Sequence, residues 1–517
     1  MGYYLAGRKQ KVSKGDGMQE SGTSIAEFFT NLVGTLGDYV WSTALIGLCL
    51  GAGLFYSILT RFVQVRLFRE MIRLLFSSKE SDKGISSFQA LAVSLSGRVG
   101  TGNIAGVAAA IGFGGPGAVF WMWMVALLGS ATAYVESTLG QIYKEEIDGQ
   151  YRGGPAFYIE KAMGQKWYAW IFAIVTIFAC GVLLPGVQSN SIGNAANLAV
   201  GGDTMISFLG DSVPADKLVT ALVVVGVLGF IIFGGVKRIA HVTQVIVPFM
   251  ALSYIVMALG IIAYHITELP AIFALIIGDA FSPMAGVGAA IGWGVKRGIY
   301  SNEAGQGSGP HAAAASEVQH PAQQGLVQSF SVYVDTLFVC SATAFMILLT
   351  GSYNVVPEGA EVIVQNLPLT TEVNSPAFTQ LALESVMGGF GKIFVAVALF
   401  FFAFTTLLAY YYIAETNVVY IRRTFHSRGL LKLLKIVTLV SVFYGTIREA
   451  NLAWAMGDLG VGLMAWLNII GILILFFMGR PALRALKDYE EQRKAGVEKY
   501  TFDPKKLGIR NADFWEK

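Results

Sequence analysis

Ser94-Leu-Ser-Gly-Arg-Val-Gly-Thr-Gly-Asn-Ile-Ala-Gly106 interrupts an otherwise apolar stretch, and its reading decides the fold. Gly97, Gly100, Gly102 and Gly106 fall there among Ser, Thr and Asn. Each interior glycine costs about 1 kcal/mol of helix propensity relative to alanine, so the cluster predicts an unwound segment within a helix. The alternative is a tightly packed glycine face on an unbroken helix. In lipid, unwound backbone survives only where it lines a protein cavity. A break leaves amides at the start of one half-helix, which suit a carboxylate, and carbonyls at the end of the other, which suit a cation. A dinucleotide-loop reading fails, because Gly100-x-Gly102 lacks the G-x-G-x-x-G spacing and no strand precedes it.

A second segment has the same design. Arg98-Val-Gly-Thr-Gly-Asn103-Ile-Ala-Gly106 resembles Arg297-Gly-Ile-Tyr-Ser-Asn302-Glu-Ala-Gly305, each placing an arginine five residues before Asn-x-Ala-Gly. One helix further on, Ser130-Ala-Thr-Ala-Tyr134 is echoed by Ser341-Ala-Thr-Ala-Phe345. The order is kept and the offsets are close. Five spans, an odd number, separate the members of each pair, so the copies cross a membrane in opposite directions, as in the inverted repeats of many secondary transporters.

The rest of the chain fits a membrane bundle. Hydrophobic residues make up 54% and charged residues 14%, against roughly 25% charged in a soluble domain, which excludes a soluble multi-domain enzyme. About eleven stretches reach spanning length: near 39–60, 86–112, 116–143, 168–198, 217–235, 241–265, 284–303, 325–351, 388–417, 431–447 and 453–478. The division is a tail over 1–38, a transmembrane domain over 39–480 with repeats over about 86–265 and 284–478, and a tail over 481–517. The first 24 residues, polar and Gly/Ser-rich, read as a disordered tail without a signal-peptide core. Lys and Arg gather after the first, third, fifth and ninth spans and beyond Arg480, while 352–387 has none. That bias puts the C-terminus in the cytoplasm and the N-terminus outside. Four basic residues in the N-terminal tail pull the other way and are outvoted. Cys49, Cys180 and Cys340 sit in apolar runs and match no metal or disulfide spacing.

The runs Gly100-Thr-Gly-Asn103-Ile-Ala-Gly106, Gly153-Gly-Pro-Ala-Phe-Tyr158 and Gly298-Ile-Tyr-Ser-Asn-Glu-Ala-Gly-Gln-Gly-Ser308 resemble the alanine or glycine:cation symporter family over about 40 to 480. The resemblance implies a leucine-transporter-like all-α bundle with one additional N-terminal helix. It also implies sodium-coupled uptake of alanine, glycine or both, without a cofactor, by a monomer in the lipid of a bacterial inner membrane. Nucleic acid has no place in it. Thr101, Gly102 and Asn103 are similar to the family's positions for the substrate carboxylate and the cation. Gln188 resembles its polar pocket residue, though a plain interhelical hydrogen bond accounts for it too. Trp293 and Gly294 resemble the wall that limits side-chain size. Adjacent hydroxyls at Thr405 and Thr406, with carbonyls near Ser96 and Val99, resemble the fold's sodium site. Back-bonding to the preceding helical turn is the alternative role for the two threonines.

Charges inside spans are expensive and need partners. Arg98, Lys296, Arg297 and Glu303 are expected to pair with one another near the cytoplasmic end as a gate. Asp279, Glu136, Asp335 and Glu415 are the carboxylates available to a proton-coupled alternative. An integral-membrane enzyme is disfavoured: His241, His265, His311, His320 and His426 form no H-x-x-x-H pair, and no Gly-x-Ser-x-Gly elbow exists. A passive channel differs in needing no coupled ion.

Overall fold

A computed structural model of the protein describes residues 25–77, 81–202, 204–208, 211–425, 427, 429–448 and 450–516. Helices α1 (Ile25–Val40) and α2 (Thr43–Leu59) lead in. Next comes an interrupted segment, α3 (Ser87–Arg98) and α4 (Ala105–Gly114), joined through a 3-10 turn over Thr101–Asn103. Helices α5 (Ala118–Ile142), α6 (Lys166–Val200), α7 (Ala215–Ile232) and α8 (Gly235–Tyr264) follow. A second interrupted segment is α9 (Val287–Asn302) and α10 (Gly309–Ala315). Helices α11 (Pro321–Leu349), α12 (Gly389–Arg422), α13 (Gly429–Ile447) and α14 (Ala450–Met478) complete the bundle, and α15 (Pro481–Lys494) lies beyond it.

Among the described residues nine helices are long and apolar enough to cross a membrane, not the eleven that hydropathy suggests. The two that drop out are the interrupted segments. Neither α3 nor α4 is long enough alone, and α9 stops at Asn302 because Glu303 turns left-handed, with φ +56°. The tail expected over 1–38 is helical from Ile25; the first 24 residues lie outside the described residues.

Local chemistry sets the start of α3. Ser86 Oγ accepts the Gln89 N–H at 3.1 Å, and Gln89 Oε1 accepts the Ser86 N–H at 2.8 Å, a reciprocal cap. Every residue from Gln89 to Gly112 is buried, so the first interrupted segment runs through the middle of the bundle. By contrast only 28% of the α7 span is buried, and its exposed Val219, Leu222 and Phe230 face outward as lipid-facing side chains do. Helices α6 and α11 each carry a π-helical turn, over Ala179–Leu183 and Tyr333–Cys340.

The basic connections meet on one face. Arg61 and Arg66 pair with Glu490 at 2.8 and 2.6 Å, Arg423 with Glu145 at 2.8 Å, and Lys161 with Asp513 at 2.9 Å. There the His320 imidazole accepts the Ala322 N–H on Nδ1, so its proton sits on Nε2, facing Asp488 at 3.2 Å. Burial holds that imidazole below its ordinary value. The lysine-free stretch 352–387 packs at the other end, where the Val356 N–H reaches Gly112 O at 2.7 Å and Asn374 meets Asn451 at 3.3 Å.

Candidate functional site

The two breaks lie side by side in the bundle. At Gly100 a Cβ would overlap the Thr406 hydroxyl and come within 2.9 Å of Gln188 Oε1; only glycine lets α12 and α6 approach the backbone there. Gln188 Oε1 then accepts the Thr101 N–H at 3.0 Å. Asn103 folds back so that its Oδ1 accepts the Gly100 N–H at 2.8 Å, while its Nδ2 donates to Asp335 Oδ1 at 2.7 Å. These contacts answer the backbone groups that unwinding frees.

The second break is held by a carboxylate. Gly305 and Gly307 both take positive φ, +84° and +85°, which aims their N–H groups at Glu136 of α5. Its two oxygens accept them at 3.2 and 3.1 Å. Asn468 of α14 donates to Glu136 at 2.6 Å and to Gly305 O at 2.9 Å. Asp335, inside the π-helical turn of α11, joins the two breaks: it accepts from Asn103, from Ser301 at 3.0 and 3.1 Å, and from Thr336 at 2.7 Å.

Between the breaks sits a group of buried polar atoms without a well-formed hydrogen bond: Thr101 Oγ1, Tyr300 OH and Trp454 Nε1. A Cβ on Gly102 would stand 3.2 Å from the Tyr300 ring, which lies 4.9 Å from the Trp454 indole. The Tyr300 hydroxyl faces Gln188, and Trp454 lies against Gly106. Thr101, Gly102 and Gln188 thus share one locus with Tyr300 and Trp454. Buried polar atoms left unpaired are costly, and a small zwitterion has both donors and acceptors to offer them.

The residues expected at the cation site divide. Thr406 Oγ1 lies 3.5 Å from Val99 O while donating to Phe402 O at 2.9 Å. Thr405 bonds back to Phe401 O and Phe402 O, at 2.9 and 3.0 Å, and lies 3.7 Å from Met250 Sδ of α8. The Ser96 hydroxyl turns onto Val93 O at 2.7 Å. Thr406 and Val99 therefore come together at the break, an all-oxygen pairing that suits a hard cation, whereas the Thr405 side chain faces another helix.

Trp293 and Gly294 are further along α9. Trp293 stacks on Phe113, with ring centroids 4.6 Å apart. A Cβ on Gly294 would approach Ala118 O to 2.5 Å, so this glycine serves close packing against α5.

The four expected gate charges do not form one cluster. Lys296 and Arg297 both pair with Asp458 of α14, each at 2.7 Å. Arg297 also lies over the Trp454 and Trp293 rings at 4.3 and 4.9 Å. Arg98 instead donates to Gln328 O at 3.1 Å and to Ser331 Oγ of α11, and Glu303 Oε2 accepts from Ser308 at 2.6 Å. Each arginine packs on the half-helix beyond the other break: Arg98 beside Gly309 of α10, Arg297 beside Gly106 of α4. The two clusters flank the breaks from opposite sides. Sequence reasoning missed Asp458, Asn468, Ser301, Tyr300 and Trp454. A lone acid and a lone amide in the apolar stretch 453–478 were the available signal.

The model of the sodium:alanine symporter family matches residues 26–504. A protein of Bacillus subtilis (strain 168) named "Putative sodium/proton-dependent alanine carrier protein YrbD" is 57% identical over 491 residues, covering 94% of this chain and 98% of its own. The "Sodium/proton-dependent alanine carrier protein" of Bacillus sp. (strain PS3) is 49% identical over 451 residues, covering 86% and 97%. Among solved structures, MhsT in complex with L-phenylalanine superposes with a TM-score of 0.51 at 15% identity, over 77% of this chain and 100% of that one. At that identity the likeness concerns the fold alone.

Proposed function

The chain belongs to the sodium:alanine symporter family, a family of transporters and not of enzymes, and from that premise we propose that it couples sodium entry to uptake of alanine, glycine or both by alternating access. The observation that carries the reading is the locus between the breaks, where Thr101 Oγ1, Tyr300 OH and Trp454 Nε1 are buried without a well-formed hydrogen bond. The substrate carboxylate takes the donors Thr101 Oγ1–H and Trp454 Nε1–H. Its ammonium takes the oxygens of Tyr300 and Gln188, and its methyl group or hydrogen meets the aromatic rings. Sodium sits at Thr406 Oγ1 and Val99 O, with the carbonyl of Ser96 nearby, and its charge favours the adjacent substrate carboxylate.

Counting each interrupted segment as one crossing adds two to the nine continuous helices, which makes eleven. They are read as one N-terminal helix followed by two inverted repeats of five, over about 86–265 and 284–478. The meeting of the basic connections on one face supports a cytoplasmic C-terminus and an external N-terminus. The Lys296–Arg297–Asp458 cluster, covered by Trp293, closes the outward side. Arg98 with Ser331 and Gln328 closes the inward side. The transporter is taken as a monomer in a bacterial inner membrane.

Purified protein in liposomes tests this directly. Labelled alanine should accumulate only with an inward sodium gradient. Equal flux without sodium would indicate a passive channel and overturn the reading.

A further inference from the structure

Among the described residues six carboxylates lie buried in or beside the spans, and five are committed, Asp458 among them through Lys296 and Arg297 at 2.7 Å. Asp279 accepts the N–H groups of Gly117 and Met284, both at 2.7 Å. Glu415 is paired with Arg152 at 2.7 Å. Both oxygens of Glu136 and both of Asp335 already accept donors. A proton placed on any of these oxygens would face an N–H or O–H and displace it.

Glu303 differs. Oε2 accepts from Ser308 at 2.6 Å and the Tyr410 hydroxyl faces the carboxylate, while Oε1 is buried without a well-formed hydrogen bond. Beside it lies a cavity of about 10 Å³ lined by Ser94, Gly97, Glu303, Ser308 and Tyr412, room for one water molecule. Ser94 Oγ, on the wall of that cavity, is also buried without a partner. The titratable and charged groups facing the carboxylate are Arg98 from α3, Asp335 from α11, Tyr410 from α12, Tyr300 from α9 and Cys180 from α6. Arg98 donates to Gln328 and Ser331 through Nη1 and attracts Glu303 by charge alone, so protonating Glu303 breaks no hydrogen bond to Arg98. Glu303 is also the first residue of the second break, held left-handed between α3 and α12.

We propose that Glu303 binds a proton at Oε1 and carries it through the transport cycle with the amino acid. The proposal rests on the transport reading above and adds a second coupled cation to it. A proton from water reaches Oε1 through the cavity. The resulting neutral acid donates to the cavity water or to Ser94 Oγ, and the same proton returns to water when the site opens to the other side. No other bond forms or breaks. Its place in the break puts the carboxylate where the half-helices must shift during alternating access.

The test uses the full-length protein in liposomes with a pH-sensitive dye inside, labelled alanine outside and an inward sodium gradient. The readout is protons moved per alanine, a ratio that any residual rate allows. The wild type should acidify the lumen during uptake, and an acid-outside gradient should raise accumulation at equal sodium. In Glu303→Gln the ratio should fall at least tenfold and the pH stimulation disappear; Glu303→Asp should restore part of both. Exposed Glu372→Gln is the control. A wild-type ratio in Glu303→Gln, or a wild type that takes up alanine on sodium without moving protons, refutes the proposal and leaves the symporter reading standing. Absence of sodium-driven uptake in the wild type refutes the symporter reading instead. If Glu303→Gln does not fold, Ser94→Val decides: filling the cavity should shift the pH midpoint of uptake by at least half a unit, and an unchanged midpoint refutes the proposal.

Discussion

Replacing Glu136 by glutamine isolates what holds the second break, because the change keeps the volume and removes the charge. In the wild type one carboxylate takes three donors: Gly305 N–H at 3.2 Å, Gly307 N–H at 3.1 Å and Asn468 Nδ2 at 2.6 Å. Glutamine offers one acceptor oxygen and turns an NH2 group toward the donors on the other side. At least one buried N–H is then orphaned, at about 1–3 kcal/mol, and the surviving bonds lose their charge assistance. Alanine leaves all three donors unmet and adds a void. The expected order is a loss of about 2–4 kcal/mol for Glu136→Gln and more for Glu136→Ala. The assay is thermal unfolding of detergent-purified protein with and without alanine, paired with uptake in liposomes. Because Gly305 and Gly307 adopt positive φ to reach Glu136, alanine binding should weaken along with stability. A Glu136→Ala protein with wild-type melting temperature and wild-type alanine affinity would refute the claim that this carboxylate holds the break.

Thr406→Ala should raise the sodium concentration needed for half-maximal uptake by tenfold or more, while Thr405→Ala, whose hydroxyl faces Met250, should change it less than threefold; the reverse order in sodium titrations would reassign the site. Exposed Thr370→Cys and Lys505→Cys should label from opposite sides of intact cells, against a low background because Cys49, Cys180 and Cys340 are buried; labelling from one side would overturn the orientation. Burial under the C-terminal Phe514 and Trp515 pushes Lys144 down to about 7 from 10.5, with cation–π attraction opposing part of that shift. When the tail undocks the ammonium moves back toward its ordinary value, so the docked tail is penalised below about pH 7 and the penalty is relieved as pH rises above it. Tryptic cleavage at Lys499, normalised to Lys144→Met, should therefore slow between pH 7 and 9, and a flat ratio would refute it.

Much of the bundle is legible in one dimension because lipid admits few backbone solutions. Long apolar runs mark the continuous helices, and glycine clustered with Ser, Thr and Asn marks the first break. The second break is harder to see. It begins at Glu303, and nothing in a glutamate announces a left-handed backbone. What holds the breaks is not legible at all. A carboxylate in an apolar run signals that a partner exists, but Glu136 finds its partners 169 and 171 residues away at Gly305 and Gly307, and no local pattern encodes that distance.

The misgrouped charges could have been avoided from the repeat itself. Arg98 and Arg297 hold equivalent positions, each five residues before Asn-x-Ala-Gly. In the inverted repeat proposed above, equivalent positions fall on opposite sides of the membrane, so two such arginines do not share one end of the bundle. Their contacts follow that logic: Arg98 lies beside Gly309 and Arg297 beside Gly106, each arginine of one half set against the far half-helix of the other. The same care applies to Gly292-Trp293-Gly294. The pattern reads as a pocket wall, yet the Gly294 backbone sits tight against Ala118, so helix packing explains that glycine, while a Cβ at Gly292 would make only ordinary contact with Ile46. Tyr300 and Ser301, seven and eight positions further along the chain, are the α9 residues against Gly102, and seven or eight helical residues span about 10 to 12 Å. The rings that meet the unwound backbone are those of Tyr300 and Trp454, and in the site proposed above they bound the substrate side chain.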